Sequence, residues 1–338
     1  MENQEIIDNL KKALISWYSF RKDSRALFIS GGFKEMEVLY EVLVSKIEKV
    51  DICSLEKVEK QKGEYDFICA CGIIEKALEP VEVIRKLKIL LKPEGKIILG
   101  AGNRLAIKHF CGDKDYFTGH VLDGLDNYAG LSQDAIRKNG GHLYSQAELK
   151  KILEEAGIKE NIFYAVFPGI FRPQMLIREG YTPNEKLEVR VFSQYNSPET
   201  VFLDEEKIYQ SLIDNNMLHQ MANGYLIMCD KCDLENYPDQ ITVQGDRGEN
   251  EAMVTLIKND SYVIKRAMYS GGKEKIERLQ ENTNYLKKHD VNMVEARTQN
   301  DEFVMPYVKG EIATVYFQKL VFESIDEFKK ELKNSQNI

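Results

Sequence analysis

The stretch that most constrains this chain is YDFICACGIIEKALEPVEVIRKLKILLKPEGKIILGAGN, from Tyr65 to Asn103. YDFICAC is a short apolar run led by Asp66, VEVIRKLKILL places apolar residues at helical spacing, and KPEG turns the chain into the apolar run KIILGAG. The order reads as strand, crossover helix, parallel strand. Such a unit belongs to an open α/β sheet whose ligands bind beyond the carboxyl ends of the strands, which places Cys71, Gly72, Gly100 and Asn103 at a candidate site.

The flanking sequence extends the pattern. Upstream, residues 3–20 carry Ile6, Ile7, Leu10, Leu14 and Trp17 at helical spacing. RKDSRALFISGG then opens a first strand ending in Ser30, Gly31 and Gly32, EMEVLYEVLVSKI reads as a helix, and KVDIC as a second strand. Fourteen residues separate Asp51 from Asp66, too few for a further helix and strand, so the sheet is expected to be shortened at that edge. Downstream, QAELKKILEEAGI reads as an amphipathic helix, with Ser145 and Glu148 as a capping box and Gly157 closing it. NIFYAVFPG is the next strand, DEEKIYQSLIDNNML a helix and NGYLIMCDK a strand. Phe171 to Phe202 form an insertion, either a lid over the site or a surface excursion. LENYPDQ breaks the pattern and divides residues 1–235 from residues 236–338. The second part is strand-rich: ITVQGD, EAMVTLIKN, SYVIKRAMY, a helix KEKIERLQENTNYLKKH, then VEARTQ and EFVMPYV, with a last amphipathic helix VFESIDEFKKELKNS.

Composition narrows the function. At 338 residues, with 43% hydrophobic and 30% charged residues, the chain can bury more than one core. A net charge of −8 argues against nucleic acid as a partner, because phosphate binding needs a basic surface. No segment reaches the apolar length of a membrane span, and a cytoplasmic location is expected. Six cysteines are too few for a disulfide framework in a chain of this length. Cys229 and Cys232 form a lone C-x-x-C without a second ligand pair nearby, so no metal site is expected.

YDFI, the acidic residue in IIEKA and LLKPEGKIIL resemble the fourth and fifth strands of class I S-adenosylmethionine-dependent methyltransferases. GNRLAIKHFCGDKDYFTGHVLDGLDNY, HLYSQAELKKILEEAGI and the FYAVFPG run are similar to methyltransferase domains found beside glycosyltransferases in bacterial surface-polysaccharide clusters. The resemblance implies a Rossmann-like α/β sheet closed by an antiparallel strand, S-adenosylmethionine as cofactor, a glycan or sugar-nucleotide acceptor and a glycosyltransferase partner. It puts Ser30, Gly31 and Gly32 against the cofactor's methionine part, Asp51 against the ribose hydroxyls, and Cys71 and Gly72 beside them. ISGGFKE departs from the family's E-x-G-x-G-x-G, and an isolated GG also serves as a tight turn. The shortened edge removes the loop that holds adenine in the family.

The segment after the fifth strand of the family pattern mixes polar and aromatic residues suited to a hydroxylated acceptor. Asn103, Arg104, Lys108, Asp123 and Tyr128 are its candidate substrate-binding residues. Methyl transfer to oxygen also needs a proton removed, which a histidine can do at neutral pH, and His109 and His120 are the candidates. Asp66 reads as structural. Glu75 either meets a substrate or begins the crossover helix, where an acid favours the dipole.

The strand-rich part resembles the amino-terminal lobe of kinase-like folds. In VIKRA, Lys265 matches the lysine that grips nucleotide phosphates, Glu277 or Glu281 its helix partner, and MPYVKG the hinge. Only 28 residues follow Gly310, without an H-x-D or D-F-G, which argues against phosphoryl transfer by this chain. Two functions stay open on the sequence: a methyltransferase, or an idle methyltransferase-like scaffold that binds a glycosyltransferase or polymer.

Overall fold

The computed structural model describes residues 10–183, 186–229, 237–244, 251–291, 293–310 and 313–335. Its parallel core comprises β1 (Arg25–Ser30), β2 (Lys49–Ser54), β3 (Tyr65–Cys69), β4 (Leu91–Gly102) and β5 (Asn161–Phe167), with β7 (Gly224–Cys229) inserted antiparallel between β4 and β5. The spatial order here is β2-β1-β3-β4-β7-β5. β2 is the outer strand, so the expected shortening at that edge is present, and a 3-10 turn at Leu55–Lys60 occupies the place of a further helix and strand.

Helices cover both faces, which is why these strands are near-continuous apolar runs rather than alternating ones. One face packs on α3 (Pro80–Ile89), α6 (Gln146–Glu155) and α7 (Tyr209–Asp214), through Ile84, Leu87, Leu149, Leu153 and Leu212. The other packs on α1 (residues 10–16) and α2 (Leu39–Lys46), through Ala13, Leu14, Leu39 and Leu43. The α6 capping box forms as the sequence predicts, the Ser145 side chain accepting from the Glu148 N–H while Glu148 accepts from Ser145.

Several expectations are corrected. KPEG is not a free turn but a bulge within β4, where pairing passes from Tyr65↔Leu91 to Phe67↔Lys96. The insertion after Phe171 contains β6 (Met175–Arg178), which pairs with β5 on one side and with β8 (Gln240–Gln244) on the other. Hence the sheet does not stop at the break in sequence pattern. It continues antiparallel through β9 (Met253–Lys258), β10 (Tyr262–Ala267), β12 (Glu302–Pro306) and β11 (Arg297–Gln299), giving twelve strands among the described residues. α8 (Lys273–Lys288) links β10 to β11, and the last helix is two, α9 (Ala313–Glu323) and α10 (Ile325–Ser335). Ser324 sits at the break, and its hydroxyl accepts the Glu327 N–H, an N-cap that restarts the helix. Among the described residues no helix is long and apolar enough to cross a membrane.

Candidate functional site

The carboxyl ends of β1, β3, β4 and β5 lie on one edge, and the turns after β1 and β3 meet there backbone to backbone. A side chain at Gly32 would lie 2.8 Å from the carbonyl oxygens of Cys71 and Gly72, so this position excludes any Cβ. Gly31 adopts φ +96°, and its N–H donates to Glu37 Oε1 at 3.1 Å. Gly72 adopts φ +73°, and a Cβ there would lie 2.5 Å from the Phe33 ring. Phe33 is buried and packs edge-on against Tyr116 and Phe171, with centroids 4.8 and 5.1 Å away, and against Phe117. Ser30, Gly31, Gly32, Cys71 and Gly72 are therefore brought together where the two turns meet. A ligand reaching Gly72 must displace the Phe33 ring.

Asp51 is not part of this edge. It lies within β2 opposite Leu27, three residues before the strand's end at Ser54. Its Oδ2 accepts from Arg25 Nη2 at 2.6 Å and from the Tyr65 hydroxyl at 2.9 Å, and both partners stand at the amino ends of their strands. The strand runs on past Asp51, and its carboxylate is engaged by residues at the amino ends of β1 and β3.

The segment after β4 is built more tightly than a binding loop. Asn103 is fully buried, and its Nδ2 donates to the Gln220 and Ala222 carbonyls at 2.9 and 2.7 Å, with the Tyr225 hydroxyl 3.0 Å away. Arg104 donates to both Glu148 oxygens and to the Gly124 carbonyl. Tyr128 is buried; its hydroxyl donates to Asp115 Oδ2 at 2.7 Å and accepts the Leu143 N–H. Asp123 offers its carbonyl to the Tyr128 N–H. Leu122, Asn127 and Tyr128 all take positive φ, so the loop holds a specific, costly path. Asn103, Arg104 and Tyr128, expected at the substrate, brace this segment. Their polar groups are consumed inside the protein.

The two histidines lie in different settings. His109 is buried, its Nδ1 3.3 Å from the Asp113 carbonyl and its Nε2 without a partner, and burial together with the neighbouring Lys108 lowers its pKa to about 4. His120 is exposed and contributes backbone contacts to Asp115 and Thr118.

Two glutamate carboxylates in this region are buried. Glu75 does not begin the crossover helix, which starts at Pro80; it is buried in the preceding loop, where Oε1 accepts the Gly102 N–H at 2.7 Å and Oε2 has no partner. Burial pushes its pKa up to about 7. Glu205, also fully buried, accepts from Asn223 Nδ2 at 2.7 Å, leaves Oε1 unpartnered, and is likewise pushed by burial to about 7. In the sequence Glu75 stands out as an acid beside the apolar pair Ile73–Ile74, whereas Glu205 lies in the charged run Asp204–Lys207 and nothing marks it.

Of the expected substrate residues, Lys108 is the one in the lining of a cleft. The cleft, of about 450 Å³, lies at the same edge, with Tyr116, Phe171 and Arg172 among the walls and residues 193–196 of the insertion on the far side. The insertion thus contributes a wall to the cleft.

No family model matches the chain, and no curated protein matches it. Similar solved structures include an S-adenosylmethionine-dependent methyltransferase of Thermotoga maritima, at 13% identity over 68% of this chain and 94% of that one, with a TM-score of 0.37. One from Archaeoglobus fulgidus has 14% identity over 66% and 93%, TM-score 0.39. Mitomycin 7-O-methyltransferase has 13% identity over 46% and 49%, TM-score 0.31.

Turning to the other expectations, Lys265 lies on β10, and among the described residues no ion pair joins it to Glu277 or Glu281. Burial and the nearby Lys275 lower its pKa. The nucleotide-gripping pair implied by the resemblance is therefore not formed. Of the C-x-x-C, Cys229 is a buried thiol at the end of β7, and Cys232 lies outside the described residues.

Proposed function

We propose that the chain is an S-adenosylmethionine-dependent methyltransferase acting in the cytoplasm on a hydroxylated acceptor, a sugar or glycan precursor of a bacterial surface polysaccharide. The observation that carries this reading is the convergence of the β1 and β3 turns, Gly32 against Gly72, at the carboxyl edge of a parallel sheet beside an aromatic-walled cleft. Ser30, Gly31 and the backbone of Cys71–Gly72 would hold the cofactor once Phe33 leaves. The cofactor supplies the electrophilic methyl group. The chain's own part is to seat the acceptor, exclude water and accept its proton. Near the cleft, Glu205 has a pKa matched to neutral pH, whereas His109 is too weak a base.

Phe33 and Asp51 also favour a second reading, an idle scaffold of the same fold that binds a glycosyltransferase. For residues 236–338, the order β8-β9-β10-β12-β11 with α8 between β10 and β11 supports an accessory module similar to a kinase amino-terminal lobe. Calorimetric titration with S-adenosylmethionine and S-adenosylhomocysteine separates the two readings. The methyltransferase reading expects binding that tightens about tenfold or more in Phe33→Ala, as the ring no longer competes. Absence of heat for both proteins, with the variant folded by circular dichroism, leaves the scaffold.

A further inference from the structure

The cleft beside Phe33 carries an imbalance that the fold does not resolve. Lys108 is held largely out of water, its side chain 14% exposed, with Nζ 3.4 Å from Oδ2 of the fully buried Asp113. That contact is an ion pair without hydrogen-bond geometry, and Asp113 Oδ2 has no hydrogen-bond partner. The ammonium carries three donors, and among the described residues none of them makes a hydrogen bond. Arg172 forms no ion pair among the described residues. With its oxygen turned towards the guanidinium, the Gln194 amide accepts from Nε at 3.1 Å and from Nη1 at 2.7 Å, which leaves the outer Nη2 edge of the fork for a ligand.

Beside Lys108, with Asp113 behind it, and Arg172, the lining holds Glu35, whose Oε2 is buried without a partner. Buried donors and acceptors left unmade are costly, so this set of groups is matched to something that satisfies them together. Tyr116 and Phe171 supply flat apolar walls next to it.

We propose that this cleft binds an anionic, hydroxylated ring: a sugar bearing a carboxylate or phosphate, with its acid group between Lys108 and Arg172 and a hydroxyl donated to Glu35. The sugar class rests on the proposed function, but the binding needs no cofactor. An acid group gains charge-assisted hydrogen bonds from both cations, and the planar fork of Arg172 suits carboxylate and phosphate alike. A neutral sugar gains only the hydroxyl and ring contacts.

The test is ligand-observed NMR and calorimetry on the full chain without cofactor, with glucuronate, glucose 1-phosphate and glucose as probes. The expected result is binding of one or both anionic sugars at least about tenfold tighter than glucose, the two anions telling carboxylate from phosphate. Arg172→Gln should weaken the anions about tenfold while leaving glucose unchanged, and Lys108→Met should weaken them further. Should Lys108→Met fail to fold, Arg172→Gln decides alone. Equal affinity for glucose and the anions, no binding of any probe at millimolar concentration, or indifference to Arg172→Gln would overturn the proposal. Sugar binding without S-adenosylmethionine binding would leave this inference standing and remove the methyltransferase reading.

Discussion

The parallel and antiparallel halves of the one sheet are built to different standards. In the parallel half, β3, β5 and β7 are buried along almost their whole length, whereas β10 is half-exposed and β11 fully exposed. A strand covered on both faces can carry few polar side chains, so the acids that remain there, Glu75 and Glu205 in the adjoining loops, stand in an apolar setting that shifts them. The antiparallel extension carries exposed ion pairs, Lys273 with Asp301 and Arg278 with Glu251, beside more buried cations such as Lys265. The carboxylates that burial shifts therefore lie beside the parallel half.

The sharpest way to break this comparison is at the seam. Ile241 of β8 is fully buried, pairs with Leu176 of β6 and shares a core with Leu14, Phe28 and Val254. Ile241→Ala should cost about 2–5 kcal/mol in denaturant unfolding, the usual range for such truncations. Trp17, the single tryptophan, packs in that same core with its ring 5.6 Å from Tyr164. Its fluorescence and the far-UV signal should shift together in the variant. A Trp17 transition that stays at the wild-type position would show the halves to be separate units, divided near residue 236.

The second test acts within the parallel half, through pH. Glu75 has a folded pKa of about 7 against an ordinary 4.5. Between those values the folded state holds a proton that the unfolded state has lost, so its contribution falls as pH rises from 4.5 to 7 and is flat above. Glu205 acts in the same sense, and His109, lowered from 6.5 to about 4, acts in the opposite one. Glu75→Gln keeps the oxygen that accepts the Gly102 N–H and removes one titration. It should be more stabilising at pH 8 than at pH 4.5, by about 3 kcal/mol at most, from 1.36 kcal/mol for each pKa unit. Parallel stability curves for the two proteins would mean that Glu75 is solvated.

What the sequence discloses follows the same division. Apolar runs and helix caps announce β1, β3, β4, β5, β7 and α6 because double coverage demands them. The four-residue β6, MLIR, is too short to stand out within a polar insertion, yet it joins the halves. Side-chain direction is the other thing hidden. Asn103, Arg104 and Tyr128 have the residue types of a binding loop, and only three-dimensional placement shows their donors consumed by Gln220, Glu148 and Asp115. Glu75 and Glu205 draw their shifted pKa from burial, which a linear sequence does not display.

Asp51 gives the smallest effect and the most direct check on that lesson. An acid near the end of the second strand looks, in the sequence, like the ribose partner, and its removal would then abolish cofactor binding. The structure instead engages it with Arg25 and Tyr65 at the amino edge, where its side chain is 43% exposed and Arg25's 42%. Half-exposed ion pairs contribute about 0–1 kcal/mol because water screens the charges and two side chains must be held in place. Asp51→Ala should therefore lower stability by less than about 1 kcal/mol, with the loss shrinking in high salt. It should also leave any affinity for S-adenosylmethionine unchanged, while Phe33→Ala alters it. Loss of that affinity in Asp51→Ala, with Phe33→Ala unchanged, would place the cofactor at the β2 edge and reverse the assignment of the two ends of the sheet.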